Sequence, residues 1–204
     1  MIKNIFATEI WEADCPNYNK EENVRKFDEY INRVGTNKLN YIINNSDTTQ
    51  IPNPTVEQHI PGYTYPDYNI QDMGMPELWL WINKQIVKYH TYCGYTNADS
   101  SQASGAWVTS GPKGGRVVSH NHNPSTTAGV FYVDAEPERG NLYLLNPNEM
   151  VIARNQRTSY NFRNKWYEFL VQSGRLILFP GYLYHQVPEN PTNDRRKIIS
   201  FDAR

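Results

Sequence analysis

"RVVSHNHNPSTTAGVFYV", residues 116–133, joins two apolar runs through a small-residue turn and sets two of the chain's five histidines one residue apart. Both runs read as β-strand, being rich in valine, threonine and aromatic residues and separated by asparagine, proline and serine. Side chains alternate faces along a strand, so His120 and His122 point the same way, about 6–7 Å apart at the backbone, while Asn121 points elsewhere. That spacing suits chelation of one ion, and it equally suits a solvated strand end. A third ligand would decide between them. "SGRLILFPGYLYHQVPEN", residues 173–190, offers one: an apolar strand, a Pro180-Gly181 turn and a second strand bring His185 back along the sheet. His59, in a proline-rich loop, and His90, late in a helical stretch, read as a surface and a packing histidine.

Outward from this stretch, the second half of the chain is a series of short β-rich runs. "AWVTS", "RVVSH", "TAGVFYV", "NLYLL", "EMVIA", "YEFLV", "RLILF", "LYHQV" and "KIISF" are separated by glycine, proline and asparagine, as in a sandwich or barrel, and about eight strands make one jelly roll. The first half is different. Val24, Phe27, Ile31 and Val34 recur at helical spacing, with Asn19 as N-cap, Glu22 at the third helical position and Gly35 placed to stop a helix over about 20–34. A second helix is expected from Pro76, with Leu78, Ile82, Ile86, Tyr89 and Cys93 in one stripe and Gly94 ending it. Between them "IPNPTVEQHIPGYTYPDYNIQDMG", residues 51–74, reads as a long loop, with the aromatic "GYTYPDY" a candidate lid. The expected organisation is a single domain over 1–204: a helical and loop elaboration over 1–104 on a jelly-roll core over 105–204 that carries the metal site. The fold class is mainly β, with bracing N-terminal helices.

Composition narrows the function. A chain of 204 residues with 39% hydrophobic and 20% charged residues buries one substantial core. A net charge of −1 and no extended run of lysine or arginine exclude the electrostatic footprint of a nucleic-acid binder. The start "MIKNIFATEIWEADCP" reaches acidic residues too early for a signal peptide, and no apolar stretch is long enough to span a bilayer. Cys15 and Cys93 lack CxxC spacing and read as reduced thiols. A soluble, cytoplasmic protein acting on a small molecule or a protein side chain is expected, and a homodimer is compatible with it.

"HNHNPSTTAGVFYVDAEPERGNLYLLNP" followed by "GRLILFPGYLYHQVPENPTNDRRKIISFD" resembles the 2-oxoglutarate and Fe(II)-dependent oxygenases, in a group also common in marine phage genomes. The likeness lies in an HxHP-like start, a strand like Ser-Gly-Val-Tyr-Tyr, a Gly-x-Leu strand, a Leu-Phe-Pro turn before a distal histidine, and an arginine opening the last strand. It covers about residues 105–202, and "NIFATEIWE" is similar to the group's beginning. The resemblance implies a double-stranded β-helix with the metal in its open mouth, and Fe(II), 2-oxoglutarate and O2 as cofactor and co-substrates of a hydroxylation that releases succinate and CO2. It implies iron ligation by His120, His122 and His185, and capture of the distal carboxylate of 2-oxoglutarate by Arg196, whose planar fork matches a carboxylate. Arg195 falls on the opposite face, where solvation is expected. Tyr132 stands where related oxygenases set a hydroxyl against 2-oxoglutarate. A phage-encoded protein would act in the host cytoplasm.

The departures matter. His122 stands where most of the superfamily has an aspartate, which raises the net charge of the site by one; Asp134 and Glu136 are candidate replacement carboxylates, although their spacing suits a turn better. Asn123 before Pro124, Ala128 before Gly129 and Asp202 after Phe201 depart mildly from the group's pattern, and Ile198 replaces a serine often found two residues after the arginine. Two other classes share part of the pattern. "GRLILFPGYLYH" nearly obeys the second cupin motif, although Ser125, Thr126 and Thr127 stand where a cupin has glutamate. A non-catalytic jelly roll is the third. Arg196 favours the oxygenase, and the converging histidines disfavour a purely structural role.

Overall fold

The computed structural model describes residues 7–45, 63–66, 73–148 and 165–204. Along these residues run β1 (Trp11–Asp14), α1 (Lys20–Asn45), β2 (Tyr63–Pro66), α2 (Pro76–Cys93), β3 (Ala103–Gly111), β4 (Val117–His120), β5 (Thr127–Asp134), β6 (Leu142–Leu145), β7 (Trp166–Phe169), β8 (Arg175–Pro180), β9 (His185–Val187) and β10 (Arg196–Ala203). Every strand pairing is antiparallel, in a six-stranded sheet ordered β1-β8-β5-β10-β3-β2 and a four-stranded sheet ordered β4-β9-β6-β7. The fold is mainly β, an open jelly roll with the helices against its larger sheet.

Strand periodicity explains why the larger sheet is covered on both faces. Phe131 and Val133 of β5, Leu176 and Leu178 of β8, and Ile199, Phe201 and Ala203 of β10 pack with Phe27, Ile82, Ile86 and Tyr89 of the helices. The alternate residues Val130, Tyr132, Ile177, Phe179 and Ile198 pack instead with Leu142, Leu144 and Val187 of the smaller sheet. A central strand buried on both faces reads as a continuous apolar run, as "TAGVFYV" does. The first layer is a closed hydrophobic core. The second is the interior of the jelly roll, and one end of it holds the site.

Both helices obey their expected signals, with one difference. The Asn19 side chain accepts a hydrogen bond from the Glu22 amide at 3.1 Å, which confirms the N-cap. α1 does not stop at Gly35 but continues to Asn45. A helical glycine costs only about 1 kcal/mol, and nothing in "TNKLNYIINN" breaks the turn that follows it. α2 begins at Pro76 and ends at Gly94, whose φ of 75° is left-handed. Tyr89 donates to the Glu9 carbonyl at 3.0 Å and Trp11 to Gln85 at 3.3 Å, tying α2 to the chain before and within β1.

The expected long loop contains β2: residues 63–66 pair with Ser110 to Trp107 at the edge of the larger sheet. Residues 51–62, His59 included, and 67–72 of that loop and the expected strand "EMVIA" lie outside the described residues. Among the described residues no helix is long and apolar enough to cross a membrane.

Candidate active site

β4 pairs with β9 so that His120 is directly opposite His185. His122 lies just beyond the end of β4, in the loop rather than on the strand. Ligand atoms of the three rings lie within 4.8 Å of one another, a spread that a single divalent ion placed among them bridges.

The rings are aimed by two kinds of contact. Nδ1 of His120 meets the Val118 carbonyl at 2.9 Å and Nδ1 of His185 the Leu183 carbonyl at 3.2 Å, each two residues back along the chain. Nδ1 of His122 meets Oδ1 of Asp202, eighty residues away, at 2.7 Å. Against such acceptors Nδ1 carries the proton, and a neutral imidazole then holds its lone pair on Nε2. Nε2 is therefore the atom with which each ring could hold an ion. Trp107 stacks on His122 with centroids 5.5 Å apart and planes 13° from parallel, and Phe179 meets His185 edge-on at 4.8 Å. Burial, reinforced by His120 and His122 beside it, holds the pKa of His185 well below its usual value, so the ring stays neutral, as a ligand must be.

The loop bearing His122 is locked to the turn that precedes His185. The His122 amide donates to the Gly181 carbonyl at 2.7 Å and the Gly181 amide to the Thr126 carbonyl at 3.0 Å. A Cβ at Gly181 would overlap the Ser125 carbonyl, so this approach requires glycine.

Arg196 opens β10 on the interior face. It is 2% exposed, and its Nη1 donates to the Arg139 carbonyl at 2.7 Å. Among the described residues it has no other hydrogen bond and no carboxylate partner. Burial draws its pKa down, partly offset by Tyr132. Tyr132 is also 2% exposed; its hydroxyl makes no hydrogen bond among the described residues, and burial raises its pKa. Gly140, at φ 104°, makes room for the guanidinium: a Cβ there would sit 2.6 Å from Nη1 and 3.0 Å from the Pro188 carbonyl. A buried cation with spare donors beside a buried hydroxyl is costly to maintain unless an anion completes it. A carboxylate beside Arg196 would match it in chemistry and charge.

Three carboxylates and Arg195 are placed by their contacts. Asp134 and Glu136 do not approach the histidines: both pair with Lys20, at 3.0 and 3.1 Å, and Asp134 also with Arg139 at 2.8 Å. Arg195 is half-buried rather than solvated, because its Nε and Nη2 bind Ser110 of the adjacent β3 at 2.8 and 3.2 Å. Asp202, a mild departure from the group's pattern, lies against His122 at the site. The alternation that places Arg196 on the interior face of β10 also places residues 198, 200 and 202 there, and that signal was available in the sequence. His90 is a packing histidine as expected, 1% exposed between Ser101 and Thr127.

Residues 105–202 match the model of the family described as "Putative 2OG-Fe(II) oxygenase". No curated protein matches the sequence closely enough to count as a relative. Among solved structures, a Pseudomonas putida prolyl-4-hydroxylase is 12% identical with TM-score 0.58, the match covering 97% of this chain and 92% of that one. HygX from Streptomyces hygroscopicus, solved with nickel and 2-oxoglutarate bound, is 14% identical with TM-score 0.55, covering 96% and 82%. An oxidoreductase of the 2OG-Fe(II) oxygenase family from Burkholderia pseudomallei is 11% identical with TM-score 0.47; the match covers 64% of this chain, which spans 57% of that protein's length. At these identities the structures share the fold, while the family match and the histidine cluster address the chemistry. The family match over residues 105–202, just under half of the chain, together with the histidine cluster supports a 2-oxoglutarate and Fe(II)-dependent oxygenase.

Proposed function

We propose that the protein is a dioxygenase that hydroxylates a small molecule or a peptide side chain while converting 2-oxoglutarate to succinate and CO2. In this reading His120, His122 and His185 hold the iron through Nε2, and Arg196 takes the distal carboxylate of 2-oxoglutarate with the Tyr132 hydroxyl beside it. The observation that carries the reading is Arg196: a buried guanidinium that has no anionic partner among the described residues, on the interior face of the sheet that also bears Asp202 against His122. A cupin that makes no use of 2-oxoglutarate has no need of that cation.

Fe(II) held by His120, His122 and His185 would supply the oxidising chemistry, with one oxygen atom of O2 going to succinate and the other to the hydroxylated substrate. The protein's part is placement. The carbonyls of Val118 and Leu183 and the carboxylate of Asp202 keep the protons on Nδ1, so that the three lone pairs are available before any ion arrives. Arg196 fixes one end of the co-substrate and thereby its orientation, because guanidinium and carboxylate meet through two parallel bonds. Phe179 walls His185 from solvent, which strengthens every charge interaction inside the site. Cys15 and Cys93 are free thiols, which suits a cytoplasmic setting.

The test is turnover without prime substrate. With Fe(II), ascorbate and O2 the protein should slowly convert 2-oxoglutarate to succinate, and His185→Ala should not. Absence of turnover together with absence of 2-oxoglutarate binding would move the protein to the cupin class.

A further inference from the structure

We infer that Asp202 is a positioning residue for the iron site, supplying through His122 the negative charge that three imidazole ligands lack. The inference rests on the oxygenase reading above and adds a part to it. Three neutral imidazoles leave both charges of a divalent ion uncompensated, and the buried cation of Arg196 lies at the other end of the same strand. Among the described residues, Asp202 is the carboxylate that reaches a member of the cluster, at 2.7 Å from Nδ1 of His122, and His122 is its only partner.

The contrast within the cluster is the argument. His120 and His185 are each held by a neutral backbone carbonyl two residues earlier, a local device that any strand provides. His122 is held by an anion brought from the far end of β10. A carboxylate that accepts from the ring raises the basicity of the opposite nitrogen and fixes the ring's rotation, and losing such a partner typically costs about 10–100-fold in metal affinity. Trp107 stacked on the ring face leaves His122 little freedom to turn away from that acceptor. β10 thus carries the co-substrate cation at residue 196 and the iron-site anion at residue 202, both on its interior face.

The experiment is anaerobic Fe(II) titration of four full-length proteins: wild type, Asp202→Asn, His122→Asp, and the double variant. Asparagine preserves the shape and an acceptor oxygen while removing the charge. Asp202→Asn should bind Fe(II) about 10–100-fold more weakly than wild type, and the Fe(III)/Fe(II) potential should rise because the oxidised ion loses more. In His122→Asp the ligand itself carries the charge and now faces Asp202, so adding Asp202→Asn should leave binding unchanged or tighten it. A purely structural Asp202 would show no such reversal. Equal Fe(II) affinity and potential in wild type and Asp202→Asn would overturn the inference and leave the oxygenase reading standing. A wild type that binds no Fe(II) would overturn both. Should Asp202→Asn fail to fold, the comparison of His122→Asp with the double variant decides alone, and weaker binding in the double variant overturns the inference.

Discussion

Replacing Arg196 by methionine should move stability and ligand affinity in opposite directions. In the protein without ligand, Arg196 is a cation at 2% exposure with one hydrogen bond, to the Arg139 carbonyl, and no counter-ion among the described residues. Buried charges replaced by apolar groups of similar volume often raise stability by about 1–4 kcal/mol. The lost bond to Arg139 takes back about 1 kcal/mol, so the unliganded variant should be about 0–3 kcal/mol more stable in urea at unchanged slope. Binding of 2-oxoglutarate should suffer instead. Two charge-assisted hydrogen bonds to the distal carboxylate, at about 1.5–3 kcal/mol each, predict a loss of about 3–6 kcal/mol, or roughly two to four powers of ten in Kd. Calorimetry on the iron-loaded protein under nitrogen reads that loss directly. Arg195→Ala is the control: it removes the contacts to Ser110 on β3, so it should lower stability slightly and leave 2-oxoglutarate affinity unchanged. A less stable Arg196→Met protein that keeps its affinity would refute the reasoning, because the guanidinium would then be a structural group.

Gly140→Ala should weaken 2-oxoglutarate binding with Arg196 still present, since the new Cβ would sit 2.6 Å from Nη1; the same calorimetry checks it. Gly181→Ala should destabilise the fold by about 2 kcal/mol or more and weaken Fe(II) binding, because the turn before His185 could no longer reach the His122 loop; urea unfolding and metal titration measure both. His90 predicts a pH effect. Burial lowers its folded pKa below the usual 6.5, so the unfolded chain takes up the proton first. Its contribution is fully present above about pH 6.5 and is lost as pH falls below that value, at no more than about 1.4 kcal/mol per pH unit. His90→Gln should flatten that part of the stability profile.

What the sequence revealed followed from local rules. Alternation on short strands and glycine, proline and asparagine between them were enough for the jelly roll, and the same alternation put His120 and Arg196 on interior faces. What it hid depends on partners distant in the chain. β2 is a strand because β3 offers it an edge, and nothing within the proline-rich stretch around Tyr63 shows that edge. Arg195 is half-buried because Ser110 receives it, and Asp134 and Glu136 are unavailable to the site because Lys20 holds them. Asp202 joins the site across eighty residues of sequence. α1 outran its expected end because one glycine is a modest penalty and not a stop.

The central claim is that His120, His122 and His185 together hold one Fe(II), and anaerobic titration of the purified protein tests it most directly. The account predicts one Fe(II) per chain, with binding lost in His185→Ala and severely weakened in His120→Ala and His122→Ala. Stoichiometric Fe(II) binding that survives all three single alanine substitutions would contradict it.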